Sequence, residues 1–149
     1  MMTEAERAKI ESQKTQGRPA LLYDGVCALC NGMVKFVLRH DRDGVFLFAA
    51  LESDPACQLL GANASVQDSV AVVLHPFTPR QIVLRRSDAV IEALRLLGWG
   101  LSARLLALVP RWLREAGYGV VARVRYRLFG RYEVCPLPSP EVRARFLGV

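Results

Sequence analysis

Leu21-Leu22-Tyr23-Asp24-Gly25-Val26-Cys27-Ala28-Leu29-Cys30 runs from a short apolar strand through an Asp-Gly turn into a C-x-x-C pair that opens a helical pattern. Two residues between the cysteines place both sulfurs on one turn at a helix start, where open backbone N–H groups and the positive end of the helix dipole favour a thiolate. That arrangement suits a reversible dithiol/disulfide couple. A zinc ligand pair has the same local spacing, so the two chemistries must be separated by residues elsewhere in the chain.

Outward from this stretch the pattern alternates strands and helices. Residues 20–23 follow Pro19 and read as a buried strand. From Cys27 to His40, Leu29, Met33, Phe36 and Val37 recur at helical spacing, and Val34 with Leu38 adds a second apolar row. Asp41-Arg42-Asp43-Gly44 ends that helix, and residues 45–49 form a continuous apolar run of the kind parallel sheets bury on both faces. Ser53 or Asp54 with Pro55 starts a short second helix that Gly61 stops. Two β-branched runs at 70–74 and 82–84 are joined by a loop with Pro76 and Pro79, short enough for an antiparallel hairpin. Ser87 then stands where it can cap a helix whose Val90, Ala93, Leu94 and Leu97 make one apolar face before Gly98.

The resulting order is β-α-β-α-β-β-α, an α/β core over residues 19–98, followed by a helical C-terminal extension at 99–149 packed on it. The extension reads as helical pieces at 102–109, 110–116 and 119–129, with Leu105, Leu108, Trp112 and Leu113 turned inward. Pro136, Pro138 and Pro140 make the segment around Cys135 irregular before a last short helix at 141–146. Residues 1–18, charged and polar, read as a mobile N-terminal tail without the apolar run of a secretory signal.

Composition narrows the function classes. With 149 residues, 52% of them hydrophobic and 23% charged, the chain has ample material for one core and one compact domain. Arg95 and Arg104 interrupt the most apolar stretch, so a transmembrane assignment fails. Four cysteines without a signal peptide point to a reducing, cytoplasmic setting, where a C-x-x-C pair is catalytic or metal-binding rather than a permanent staple. Residues 1–103 balance 11 basic against 11 acidic side chains, whereas residues 104–149 hold 9 basic and 3 acidic. The excess is all arginine and could meet an anionic partner, and Arg123, Arg127 and Arg131 recur every four residues on one helical face. Charge alone supplies no sequence readout, so no specific nucleic-acid target is expected.

The string Tyr23-Asp24-Gly25-Val26-Cys27-Ala28-Leu29-Cys30, at the start of the first helix of that element order, resembles the DCC family of proposed thiol-disulfide oxidoreductases and, more broadly, the thioredoxin fold. Ser87-Asp88-Ala89 ahead of an apolar helix, and Arg123 to Arg131 followed by Cys135, are also similar to that family's layout, so the likeness spans about residues 20–147. The resemblance implies a reaction class, exchange with a protein or small-molecule disulfide, and no cofactor. Two departures from thioredoxin-like enzymes stand out. Val66-Gln67-Asp68-Ser69 lacks the proline, cis in those enzymes, that precedes the third strand, and Ala28-Leu29 lacks the His or Pro that tunes the thiol, which implies a modest pKa depression.

These observations make Cys27 and Cys30 the catalytic pair. Cys27, nearer the helix start, is expected to be exposed and nucleophilic, and Cys30, one turn in, to be shielded and resolving. Asp24 is either a turn residue or a carboxylate that relays the resolving thiol's proton, with Tyr23 and Gly25 supporting the site. Cys135 could fold back as a third thiol or simply pack, and Cys57 reads as a small buried hydrophobe. The rival readings are a zinc-stabilised module and a non-catalytic basic module. The zinc reading needs Cys57, Cys135, His40 and His75 to converge from unrelated segments, and no metal site is expected.

Overall fold

A computed structural model describes residues 2–3, 5–6, 9, 17–60, 70–132 and 139–147. Strands β1 (Ala20–Tyr23), β2 (Leu47–Ala50), β3 (Val70–Leu74) and β4 (Ile82–Arg85) form one sheet in the order β2-β1-β3-β4. β1 and β2 run parallel, with Leu21 opposite Phe48, while β3 is antiparallel to both β1 and β4. Helices α1 (Ala28–His40), α2 (Asp54–Leu60), α3 (Arg86–Leu96), α4 (Gly100–Leu108) and α5 (Arg111–Phe129) complete the fold with a 3-10 turn at Arg143–Arg145. The α/β order read from the sequence is thus the observed one, consistent with a thioredoxin-like fold.

Alternation along the strands divides the core into two layers. Leu21, Tyr23, Phe48, Val70 and Val72 point to the face covered by Val34 and Val37 of α1 and Ala89 of α3. Leu22, Leu47, Ala49, Ala71 and Val73 point to the other face, covered by Ala56, Leu59 and Leu60 of α2. β1 is wholly buried on both faces, and its C-terminal end delivers the chain directly into the Asp24-Gly25 turn.

Several elements differ from expectation, each for a local reason. β2 starts at Leu47 rather than Val45 because the Asp41 carboxylate captures the Val45 and Phe46 N–H groups, both at 2.9 Å. Ser87 does not cap α3; that helix starts at Arg86, and the buried Ser87 hydroxyl donates to Glu115 of α5. Residues 110–129 form one helix rather than two. Gly119 lies inside α5, where a Cβ would stand 3.4 Å from Arg86 Nη2, so its small size serves close packing rather than a break. The last segment makes a 3-10 turn in place of an α-helix, and Phe146 then stacks on Phe48 at 5.2 Å while the Leu147 N–H bonds the Phe48 carbonyl at 2.7 Å.

The largest correction concerns the C-terminal helices. Leu105, Leu108, Trp112 and Leu113, expected inward, are 58, 78, 73 and 48% exposed. α4 presents Ala103 to the interior, so the leucine row on its other side faces out. Phe36, one of the apolar residues at helical spacing in α1, is exposed and shares an aromatic cluster with His40 and Trp99. Most of the 1–18 tail, Gly61, and the segment before β3 that lacks proline lie outside the described residues.

These placements separate two truncations sharply. Phe48→Ala removes a fully buried ring stacked on Phe146 and tilted against Phe46 and is expected to cost about 3–5 kcal/mol in urea unfolding. Leu108→Ala is expected to stay within about 0.5 kcal/mol of the parent. A Leu108→Ala loss comparable to that of Phe48→Ala would return this leucine to the core.

Candidate functional site

The turn between β1 and α1 is held by its own backbone and by one asparagine. The Cys27 N–H bonds the Asp24 carbonyl at 3.2 Å, the Val26 N–H bonds Asp24 Oδ1 at 3.2 Å, and Asn31 Nδ2 donates to the carbonyls of Gly25 at 2.8 Å and Cys27 at 2.9 Å. Cys27 then occupies the N-cap of α1, and its Sγ accepts the Cys30 N–H at 3.4 Å. The Cys27 sulfur thus stands at the helix N-terminus with a backbone N–H directed at it. Both cysteines are free thiols.

Cys30 is shielded as expected, but Cys27, expected exposed, is shielded too. Cys27 is 0% exposed. It is sealed by the chain leaving α5: the Ala28 N–H bonds the Gly130 carbonyl at 3.2 Å, the Tyr132 N–H bonds the Val26 carbonyl at 2.7 Å, and Cys27 and Arg131 make an isolated antiparallel bridge. Cys30 is also buried, but it lines an apolar cavity of about 470 Å³ together with Leu29, Met33, Val90, Leu106 and Val121. Burial pushes the Cys30 thiol well above its ordinary value, and the hydrogen bond and charge of Cys27 push it the same way, while the Arg125 guanidinium opposes them.

Beneath the pair lies a buried charge cluster that sequence reasoning missed. Asp24 is fully buried and accepts from Arg125 Nη2 at 3.0 Å and from the Tyr126 hydroxyl. Burial alone would raise its pKa, but hydrogen bonds with Tyr126, Glu52, Arg125 and the Val26 N–H outweigh it and hold the carboxyl below its ordinary value of 3.8. The neighbouring Glu52, at the solvent side, moves the other way because burial and the proximity of Asp24 favour its proton, and its Oε2 lies 3.4 Å from the Gly25 N–H. Two carboxyls with opposed shifts, one on the turn after β1 and one just after β2, thus lie side by side.

Tyr23 packs in the core, edge-on to Phe146 at 6.5 Å. Gly25 is buried beneath the turn. Cys57 is exposed rather than buried, on a helix away from the pair, and Cys135 lies outside the described residues. Among the described residues no group of three His, Cys, Asp or Glu gathers closely enough to hold a metal ion. The arginines that the periodicity picked out, Arg123, Arg127 and Arg131, are exposed, and the buried one is Arg125. Its signal was present: Tyr118, Ala122 and Arg125 form the inward row of α5, so an arginine occupies a position where the period asks for an apolar residue.

Removing one side of the buried pair tests its weight. Asp24→Asn leaves Arg125 charged without its carboxylate and is expected to cost about 3–5 kcal/mol, part of it recovered in an Asp24→Asn, Arg125→Met double variant. Because the native pKa of Asp24 is lowered, its contribution is complete above about pH 3.8 and is lost as pH falls through the native value. The parent and Asp24→Asn should therefore converge in stability toward acid. A gap that stays constant from pH 7 down to pH 2 would exclude this assignment.

Comparison with known proteins agrees with the geometry. The sequence model described as DCC1-like thiol-disulfide oxidoreductase matches residues 21–131. The chain is 37% identical over 129 residues to the uncharacterized protein YuxK of Bacillus subtilis, covering 85% of this chain and 92% of that protein. It is also 37% identical over 122 residues to a DCC family protein of Arabidopsis thaliana, At1g52590, described as chloroplastic, covering 80% of this chain and 70% of that protein. No solved structure matches the chain significantly.

Proposed function

The chain belongs to the DCC1-like thiol-disulfide oxidoreductase family, and on that premise we propose that it exchanges electrons with disulfide substrates through Cys27 and Cys30. The observation that carries this reading is the asymmetry of the pair: Cys27 Sγ is hydrogen-bonded at a helix N-cap, whereas burial raises the thiol of Cys30. Cys27 is the attacking thiolate. It cleaves a substrate disulfide, forming a mixed disulfide and releasing one substrate thiolate. Cys30 then gives up its proton and attacks Cys27 Sγ, closing the Cys27–Cys30 disulfide and releasing the second thiolate. Two electrons and the Cys30 proton pass to the substrate, whose disulfide becomes one thiol and one thiolate.

The raised Cys30 thiol needs help to ionise, and the Arg125 guanidinium is the nearby charge that favours its thiolate. Asp24 acts as a positioning residue by holding Arg125 in place, and its low pKa suits it poorly as the acceptor of the Cys30 proton. Substrate access to Cys27 requires the Gly130 to Tyr132 strap to yield, and the cavity at Cys30 receives an apolar part of the substrate. No helix among the described residues is long and apolar enough to cross a membrane. The same reading places the reaction in the cytoplasm, where the pair is kept reduced.

Trapping distinguishes the two thiols. With Cys30→Ser, a mixed disulfide at Cys27 should accumulate and be visible by mass spectrometry, and with Cys27→Ser no adduct should form at Cys30. Equal trapping by both variants, or a wild type that does not cycle between dithiol and disulfide, would exclude the assignment. Cys135 enters the same experiment as the third thiol: a longer-lived adduct in Cys30→Ser, Cys135→Ser than in Cys30→Ser alone would give it a resolving role.

A further inference from the structure

We propose that the outer face of α4 and α5 docks on the surface of an anionic lipid bilayer. Leu101, Leu105 and Leu108 follow one another at i, i+4 and i+7, so they form a single row along α4, and all three are exposed. Trp112, just past Pro110 in the first turn of α5, is likewise exposed. On α5, Trp112, Val120, Arg123 and Arg127 fall within about 80° of one another at 100° per residue, and all are exposed. So many exposed leucine, valine and tryptophan side chains on two successive helices are the kind of surface a soluble monomer avoids.

The charge on these helices selects the occupant. Gly100–Phe129 contains six arginines and one carboxylate, Glu115, and that carboxylate is held by Arg86 at 2.6 Å and by Ser87. Among the described residues no carboxylate pairs with Arg104, Arg123 or Arg127, which lie on the same two helices. A second copy seated on this face would set arginines against arginines with no acidic group to meet them. Leucine and tryptophan entering the acyl boundary, with arginines at the phosphate level, is the arrangement of a helix that lies in a membrane surface. Neither helix can cross the bilayer. Leu113 and Val121, which line the cavity beside Cys30, are also exposed but lie about 100° and 180° round α5 from Trp112, so the docking face and the cavity are separate surfaces.

The test uses the full chain with vesicles of phosphatidylcholine alone and of phosphatidylcholine with phosphatidylglycerol. Expected are co-sedimentation with the anionic vesicles only, a blue shift of tryptophan fluorescence that Trp112→Ala reduces, and release by salt. Leu105→Glu with Leu108→Glu, and separately Arg104→Gln with Arg123→Gln and Arg127→Gln, should each weaken binding at least about tenfold. Both variants should keep the parent's circular dichroism and its Cys27/Cys30 redox titration, because none of these residues touches the pair. Failure to bind either vesicle would overturn the proposal. So would a concentration-dependent dimer abolished by Leu105→Glu with Leu108→Glu, binding of polyglutamate without vesicle binding, or vesicle binding that both variants retain.

Discussion

The contact between Asp24 and Arg125 joins the two halves of this structure. One partner sits on the turn that delivers the cysteines, the other on the long helix whose end covers them, 101 residues further along the chain. Both are buried, so the contact carries the high stakes of a charge pair removed from water: formed, it orients α5 over the C-x-x-C turn, and broken, it leaves an uncompensated ion in the interior. Tyr126 and the Val26 N–H complete the hydrogen bonding of the Asp24 carboxylate, and Arg131 stacks over the Tyr126 ring at 5.2 Å. From that anchor follow the strap that seals Cys27 and the wall of the cavity at Cys30.

The anchor also couples structure to chemistry. A guanidinium held within electrostatic reach of a buried thiol favours the one charged form that burial opposes, and only a carboxylate that stays ionised can hold it there. Glu52 shows what the same turn does to a carboxyl nearer solvent and next to a permanent negative charge: its proton is held more tightly. The two carboxyls are thus pushed apart by their surroundings, one toward the ionised form and one toward the protonated form.

The candidate site was legible in the sequence to the level of residue type and spacing. The β1 strand, the Asp-Gly turn and the cysteine pair at the head of α1 are local features, decided by apolar runs, turn chemistry and helix geometry over about ten residues, and they appear where they were read. The hairpin of β3 and β4 and the parallel pairing of β1 with β2 follow from β-branched runs and an intervening helix, and these too were legible. The inward placement of Leu105, Leu108, Trp112 and Leu113 was not, because a helix with apolar residues on most sides does not say which side the core will take.

By itself the sequence determined the fold class, the position of the thiols and the excess of arginine at the C-terminal end, since each depends on periodicity, spacing or composition within a short window. Only the tertiary structure decided that Arg125, not Arg123 or Arg127, is the buried arginine, that Cys27 is the sealed thiol, and that Cys30 faces an open cavity. Those facts depend on the rotation of α5 about its axis and on the path of the chain beyond it. The physical reason is that burial is a property of pairs of distant segments: a charged side chain enters the interior when a partner of opposite charge already waits there, and that partner lies a hundred residues away.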